Sequence, residues 1–526
     1  MNTIQTSLRL LIPCLFITVI IVSCQQEIED GEIVKPLTPA RLDEDAGTWS
    51  MIVLTSPDQV PVAAPASVTS DAYKAELEAI KKAQQSLSSA QQRTIDFWSG
   101  GGVLRWNQIM RELVARYNLP PAPNDQGTYP TPDPENPFAD PKFPFSNPPY
   151  AARAYSYVSV AQYEGMKAAW HYKYLYNRPA PYTVDASIKA LVPKTTLPAY
   201  PSEDAVLSGV TVELLKLLFP ASVEEITKHA ADQRNAALWS GKASSSDIAA
   251  GLALGKSIAA IIIARASTDG MRNAIGTPAQ WEALYDSARV HWTKAGVNGG
   301  TEVLWKSLEI PPRPPMLPFF GQVKGWLMTP QDFAANRPGP PPSSVSEKMK
   351  EEIEEVKRYS INATRNQIAI VHKWADGVGT YTPPGHWNDI AAEYVRDANY
   401  SEVRAARAMA LLNMALHNAG VACWENKYYW MNPRPSQLDP SIKTWTGLPN
   451  FPAYGSGHST FSSSAAGVLS YLFPVHADYF IMQADEAAIS RLYGAIHYRA
   501  DIEDGMTHGE RIASFVVNFA KQDGAD

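Results

Sequence analysis

Two Ala-rich stretches of this chain repeat apolar residues at three- and four-residue spacing: 151–173, AARAYSYVSVAQYEGMKAAWHYK, and 405–427, AARAMALLNMALHNAGVACWENK. That spacing lines up an apolar face on a helix, whereas the alternating β-branched runs that would mark strands are scarce. The pattern predicts about four long helices in each half, hence a mainly α protein made of two four-helix bundles packed together. The apolar run 248–266 resembles a membrane span, but Lys256 interrupts it and Arg265 nearly ends it. A buried bundle helix is the expectation there. Pro-rich stretches at 119–149 and 310–342 are unsuited to helix interiors and are expected as long, conformationally fixed surface excursions.

The two Ala-rich stretches align on each other without a gap, matching Ala161 with Ala415, Ala168 with Ala422, Trp170 with Trp424 and Lys173 with Lys427. Both continue into an Arg-Pro pair, Arg178-Pro179 and Arg434-Pro435. At the same offset 198–220, PAYPSEDAVLSGVTVELLKLLFP, aligns on 452–474, PAYGSGHSTFSSSAAGVLSYLFP. Further out, Trp98 and Trp106-Asn107 correspond to Trp374 and Trp387-Asn388, and Arg265-Ala266 with Asp269-Gly270-Met271 echoes Arg499-Ala500 with Asp504-Gly505-Met506. Ordered agreement over several segments predicts an internal duplication. The expected layout is an N-terminal bundle over 86–309, a Pro-rich connection over 310–350 and a C-terminal catalytic bundle over 351–526.

Composition changes this picture little. With 526 residues, 45% hydrophobic and 19% charged, the chain has ample material for large cores. Its net charge of −7 removes any general electrostatic case for nucleic-acid binding. The N-terminus adds more: Arg9, an apolar run over 10–22, and then Ile21-Val22-Ser23-Cys24, which reads as a bacterial lipobox. The expectation is a signal peptide over 1–23, lipidation at Cys24, and a tether and extension over 24–85, making an exported lipoprotein anchored at the periplasmic or outer-membrane face. Cys423 is then the one cysteine left besides the lipidated one, so no disulfide is available, and it is expected as a small buried hydrophobe.

Candidate chemistry gathers in three segments of the last third: Lys427 through Arg434-Pro435, Phe451-Pro-Ala-Tyr-Gly-Ser456-Gly457-His458, and Ser490-Arg491 through His497 and Asp501. Lys427, Arg434 and Arg491 supply the fixed positive charge that an oxyanion site needs, and Ser456 with the Gly457 N–H supplies close donors at a helix start. His497 and Asp501 are four apart, so on a helix the carboxylate would share a face with the imidazole and hold one nitrogen. His458 remains as proton donor and acceptor. His372, His386, His417 and His508 lie near these segments in sequence, with nothing in their spacing that demands a role.

In order and internal spacing, the three segments resemble the K-x6-R-P, P-S-G-H and S-R-x5-H-x3-D motifs of the vanadium haloperoxidase and PAP2 acid phosphatase superfamily, with Gly455 in place of the motif proline. The resemblance implies that Lys427, Arg434, Ser456, Gly457 and Arg491 surround an oxyanion, that His458 is the acid/base, and that His497, steadied by Asp501, either binds vanadate or attacks phosphorus. The two-bundle layout and the aromatic Phe451, which would border a halide site, resemble the haloperoxidases. That favours vanadate as cofactor, Lys427 as a catalytic cation, and hydrogen peroxide, halide and a small organic acceptor as substrates. The alternatives are a PAP2-type acid phosphatase, which needs no cofactor and hydrolyses a phosphate ester through a phosphohistidine, and an inert lipid-anchored oxyanion-binding protein. The first copy has Glu203-Asp204 where the second has Gly457-His458, and alignment through Arg265 and Arg499 sets Ser257 and Ile263 opposite Arg491 and His497. It is therefore expected to be a degenerate structural partner.

Overall fold

The computed structural model describes residues 35–129 and 145–525; the lipobox at 21–24 lies outside them. Among the described residues every regular element is a helix. The first three are α1 (Asp71–Gln84), α2 (Ser89–Ser99) and α3 (Gly102–Tyr117), followed by α4 (Pro148–Tyr176), α5 (Pro181–Val184), α6 (Glu203–Leu218), α7 (Val223–Trp239) and α8 (Ser245–Ala266). The middle of the chain forms α9 (Pro278–Lys294), α10 (Pro330–Asn336), α11 (Glu347–Asn362), α12 (Arg365–Lys373) and α13 (Thr382–Asp397). The last five are α14 (Glu402–Trp430), α15 (Pro435–Leu438), α16 (Gly457–Leu472), α17 (Ala477–Tyr493) and α18 (Arg499–Ala520).

Helices α14 to α18 repeat the lengths and spacings of α4 to α8, each displaced by the same number of residues that separates Lys173 from Lys427. The caps repeat too: Ser202 and Ser456 each accept the N–H three residues on at the start of α6 and α16, and Asn177 and Met431 end α4 and α14 in the left-handed region. Ion pairs follow the same register, with Arg153 on Asp269 and the Ala266 carbonyl, and Arg407 on Asp523 and the Ala520 carbonyl. This register corrects part of the sequence alignment. Arg265 lies at the end of α8 and Arg499 at the start of α18, so they are not counterparts, and Asp269-Gly270 matches Asp523-Gly524. Likewise Ala180, not Arg178, stands opposite Arg434, because Pro181 and Pro435 open α5 and α15. The physical reason is that helix ends and caps fix the register, which short sequence echoes do not.

Helices α4 and α14 pack on each other through the middle of the molecule, and α13 and α3 meet beside them. Asn107 Nδ2 donates to Asn388 Oδ1 at 2.7 Å, and Asn413 Nδ2 donates to Ser159 Oγ at 3.0 Å. Matched positions of the two halves thus bond across this contact, as buried amides require. Helix α8 is long and apolar enough to cross a membrane, yet it packs on α6 through Gly251, Leu254, Gly255, Ile258, Ala259 and Ile262, with Lys256 on its exposed side. It is a bundle helix with one face buried against α6 and the other exposed.

Two extended segments are held against the helices. The compact unit begins at Pro36, so residues 36–85 of the expected tether and extension belong to it. Trp49 and Leu54 are buried there, Glu164 of α4 accepts the Ile52, Val53 and Leu54 N–H groups, and Lys167 donates to the Ser50 carbonyl. The stretch 310–342 is likewise a strap along α14: it buries Phe320, Val323, Trp326 and Phe333, and Asn418 bonds both the N–H and the carbonyl of Trp326. Outside the short α10, whose first residue is Pro330, prolines keep these straps extended, and side chains of α4 and α14 satisfy backbone groups there.

Candidate active site

The last turn of α14 carries Lys427 inward, the chain reverses at Met431 (φ 50°), and Arg434 becomes the N-cap of α15. The returning loop presents Phe451 and ends at Ser456, the N-cap of α16, whose first two residues are Gly457 and His458. Two glycines of α18 set how closely this helix start approaches. A Cβ on Gly509 would lie 2.3 Å from the Thr460 carbonyl oxygen, and one on Gly505 2.9 Å from the Ser459 Cβ. With neither present, Ser456 N donates to the Asp501 carbonyl at 2.7 Å and ties α16 to the first turn of α18.

The pairing of His497 with Asp501 is present, but not on one helical face. His497 precedes α18, which starts at Arg499, and Asp501 in its first turn accepts the N–H of the N-cap residue Tyr498 at 3.1 Å. Its same oxygen meets His497 Nδ1 at 2.8 Å. A carboxylate in the first turn of a helix caps the chain ahead of it, so the histidine is held from the preceding loop.

His497 Nε2 faces Arg434 Nη1 at 2.9 Å, and that guanidinium also donates to the Ile496 and Phe451 carbonyls. Lys427 Nζ donates to the carbonyls of Pro452 (2.9 Å), Ala453 (2.8 Å) and Gly455 (2.6 Å). Arg491, in the last turn of α17, donates to the Val371 carbonyl and to Ser490 Oγ. The Phe451 ring lies 5.2 Å from Lys427 Nζ and 5.0 Å from the Arg434 guanidinium carbon, and packs against Trp424. Cys423 is buried and free, with its sulfur 3.7 Å from the Gly455 carbonyl.

All three cations are buried and lean on neutral oxygens rather than carboxylates. Burial pushes Lys427 down to about 8 and Arg434 and Arg491 to about 10. His458 and His497 fall well below the usual histidine value, first through burial and then through the neighbouring cations. Burial raises Asp501 to about 7 against the pull of Lys427. Uncompensated positive charge, short donors and a helix N-terminus around one imidazole nitrogen are what a tetrahedral oxyanion requires.

The sequence did not single out Asp376. It sits in the loop between α12 and α13, buried, with Oδ2 3.7 Å from His458 Nε2 and Oδ1 3.1 Å from His386 Nδ1. No motif marks this loop; the one sequence signal is the Trp374 match to Trp98, which brackets it. His386 thereby joins the site, whereas His372 is exposed on α12. His417 bonds the Lys324 carbonyl of the strap, and burial pushes His508 of α18 down to about 3.

In the first copy, the helix register puts Ala237 and Ala243 opposite Arg491 and His497, in place of the expected Ser257 and Ile263, while Asp247 is kept opposite Asp501. Glu203, opposite Gly457, pairs with Lys173 at 2.7 Å and with Lys242 at 2.6 Å, and Asp204 pairs with Lys242 at 2.8 Å. A carboxylate of the chain itself thus neutralises the lysine that matches Lys427, and no nucleophile stands beside it.

The sequence model of the PAP2 superfamily matches residues 405–524. No curated protein sequence matches the chain. Among solved structures, that of the first bacterial vanadium-dependent iodoperoxidase is similar with a TM-score of 0.56 at 22% identity, covering 79% of this chain and 96% of that one. An apo-type bacterial vanadium-dependent chloroperoxidase is similar with a TM-score of 0.50 at 12% identity, covering 71% and 93%. The three motif segments, converging where the superfamily model matches and within an architecture shared with these structures, give the chain a PAP2/vanadium-haloperoxidase superfamily fold.

Proposed function

We propose that this site binds a tetrahedral oxyanion and hydrolyses phosphate monoesters through a phosphohistidine. One observation carries the reading: Asp501 holds His497 Nδ1 at 2.8 Å, which aims the other nitrogen, Nε2, into the cluster formed by Arg434, Lys427 and Arg491. Those cations, with Ser456 and the Gly457 N–H, bind the phosphate oxygens. His497 Nε2 attacks phosphorus, the bond to the leaving oxygen breaks, and protonated His458 gives that oxygen a proton. Water then attacks phosphorus, His458 takes a proton from it, and the N–P bond breaks to release phosphate. Every group required belongs to the chain, and the PAP2 match spans the segments from Lys427 to Asp501.

Vanadate-dependent halide oxidation, which the sequence favoured, is the second reading. The likeness to the iodoperoxidase structure over 96% of that chain speaks for it. The residues fit the cofactor: vanadate is also a tetrahedral oxyanion, His497 Nε2 would hold it, and Lys427, Arg434, Ser456, Gly457 and Arg491 would bind its oxygens. Bound vanadate supplies Lewis acidity toward hydrogen peroxide. The Phe451 ring over both cations would give a halide an apolar wall.

The metal-free protein is expected to hydrolyse an aryl phosphate, to be inhibited by vanadate, and to lose turnover in His497→Ala. Vanadate-loaded protein that oxidises iodide or bromide with hydrogen peroxide, while the metal-free protein leaves aryl phosphates intact, would overturn the phosphatase reading in favour of the second.

A further inference from the structure

The acid/base histidine has a second face that the reaction above does not use. His458 Nε2 is buried without a hydrogen-bond partner, and the Asp376 carboxylate stands 3.7 Å from it. The same carboxylate meets His386 Nδ1 at 3.1 and 3.3 Å. The His386 ring stacks on Trp374 at 4.3 Å and 22°, and its side chain keeps 16% of its surface exposed, as does that of His458. His458, Asp376 and His386 therefore form a row with a partly exposed histidine at each end, and an ester in the site would cover the His458 end and leave His386 as the open one. With Nε2 turned to Asp376, Nδ1 is the His458 nitrogen left for a substrate oxygen.

The loop that builds this row is held under backbone strain. Asp376 has φ 45° and Thr382 φ 68°, and a buried β-branched residue rarely adopts such a value. Residues of this kind persist only where their surroundings over-determine them. Here Asn118 donates to the Gly377 and Thr380 carbonyls, and Trp374 Nε1 donates to Glu486. From the site side Arg491, Lys427 and His497 face the row, Arg491 toward both His458 and Asp376, and the Trp374 backbone carbonyl lies beside the His458 ring. Tyr381 and Asp389, the latter paired with Arg111, face it from α13 and α3.

We propose that His386 is a positioning and proton-relay residue for His458, acting through Asp376; the proposal rests on the phosphatase reading. When a phosphate ester enters, neutral His458, carrying its proton on Nδ1, needs one more to become the acid. A solvent proton enters at His386 Nε2, the Nδ1 proton of His386 passes to Asp376, and Asp376 closes on His458 Nε2 and delivers it. His458 then gives its Nδ1 proton to the leaving oxygen. In the second step it regains a proton from the attacking water, and when phosphate departs the extra proton returns along the same row. No net charge accumulates over the cycle.

The test uses the full chain with an aryl phosphate. In His386→Ala, kcat is expected to fall about tenfold with KM changed less than about twofold, and the limb of the kcat–pH profile set by His458 to move by about one unit. Added imidazole should restore part of kcat. His386→Asn, which keeps an N–H donor toward Asp376 but does not titrate and so cannot pass a proton on, should restore the pH profile and not kcat. A His386→Ala enzyme with kcat and pH profile equal to the parent's would refute the relay. Should the parent hydrolyse no ester, the phosphatase reading fails by itself. The role of His386 is then decided by 15N NMR titration of His458 with inorganic phosphate bound: a shifted titration in His386→Ala supports it, and an unshifted one overturns it.

Discussion

Lys427 shows how burial tunes a single residue for anion binding. Its ammonium donates to three loop carbonyls and makes no direct ion pair, so burial lowers it to about 8 despite the pull of Cys423 and Asp501. A bound phosphate or vanadate would favour the charged form and raise that value. Binding should therefore be strongest below pH 8, where the lysine is already charged, and weaken as pH rises from 8 through the higher value of the complex. Phosphate affinity measured by calorimetry between pH 6 and 10 checks this, and Lys427→Gln should flatten the alkaline fall. An affinity independent of pH across that range would remove Lys427 from the anion's contacts.

At the scale of elements, the two copies use the same helix start for opposite ends. Ser202 and Ser456 cap α6 and α16 alike. After the cap, α16 offers Gly457 and His458, whereas α6 offers two acidic residues that lie on Lys173 and Lys242. Glu203 is buried and pairs with both lysines, so Glu203→Ala leaves buried ammonium charge uncompensated and is expected to cost about 3–5 kcal/mol of stability. Turnover per folded molecule should not change, since the residue belongs to the other copy. Denaturant titration beside kcat on the folded fraction checks both halves, and a fall in kcat with unaltered stability would contradict the structural role.

On the scale of the whole molecule, residues from Pro36 onward form one compact unit, with the straps at 36–66 and 310–342 bound to α4 and α14. We propose that the sequence ahead of it delivers the protein to a membrane as a lipoprotein modified at Cys24. Cys24→Ser is then expected to abolish fatty-acid labelling and membrane sedimentation in a Gram-negative host, while catalysis by the released protein persists. Equal labelling of parent and variant would remove the lipid anchor from this account.

The sequence by itself determined the helical class, the internal repetition and the three chemical segments. Helical spacing, cap residues and short-range motif spacing are local properties, written in consecutive residues. It also placed Lys427, Arg434, Ser456 and Arg491 in one group, because their order and spacing form a pattern. Tertiary structure alone decided the rest. The register of the copies followed from helix ends, which Arg265 and Arg499 obscured. The position of His497 ahead of α18 followed from Asp501 acting as a cap. Asp376 and His386 came to His458 from a loop with no motif, through packing of α12 and α13 against the C-terminal helices. Residues distant in the chain meet only when those helices pack, and no local pattern encodes which side chains that packing brings together.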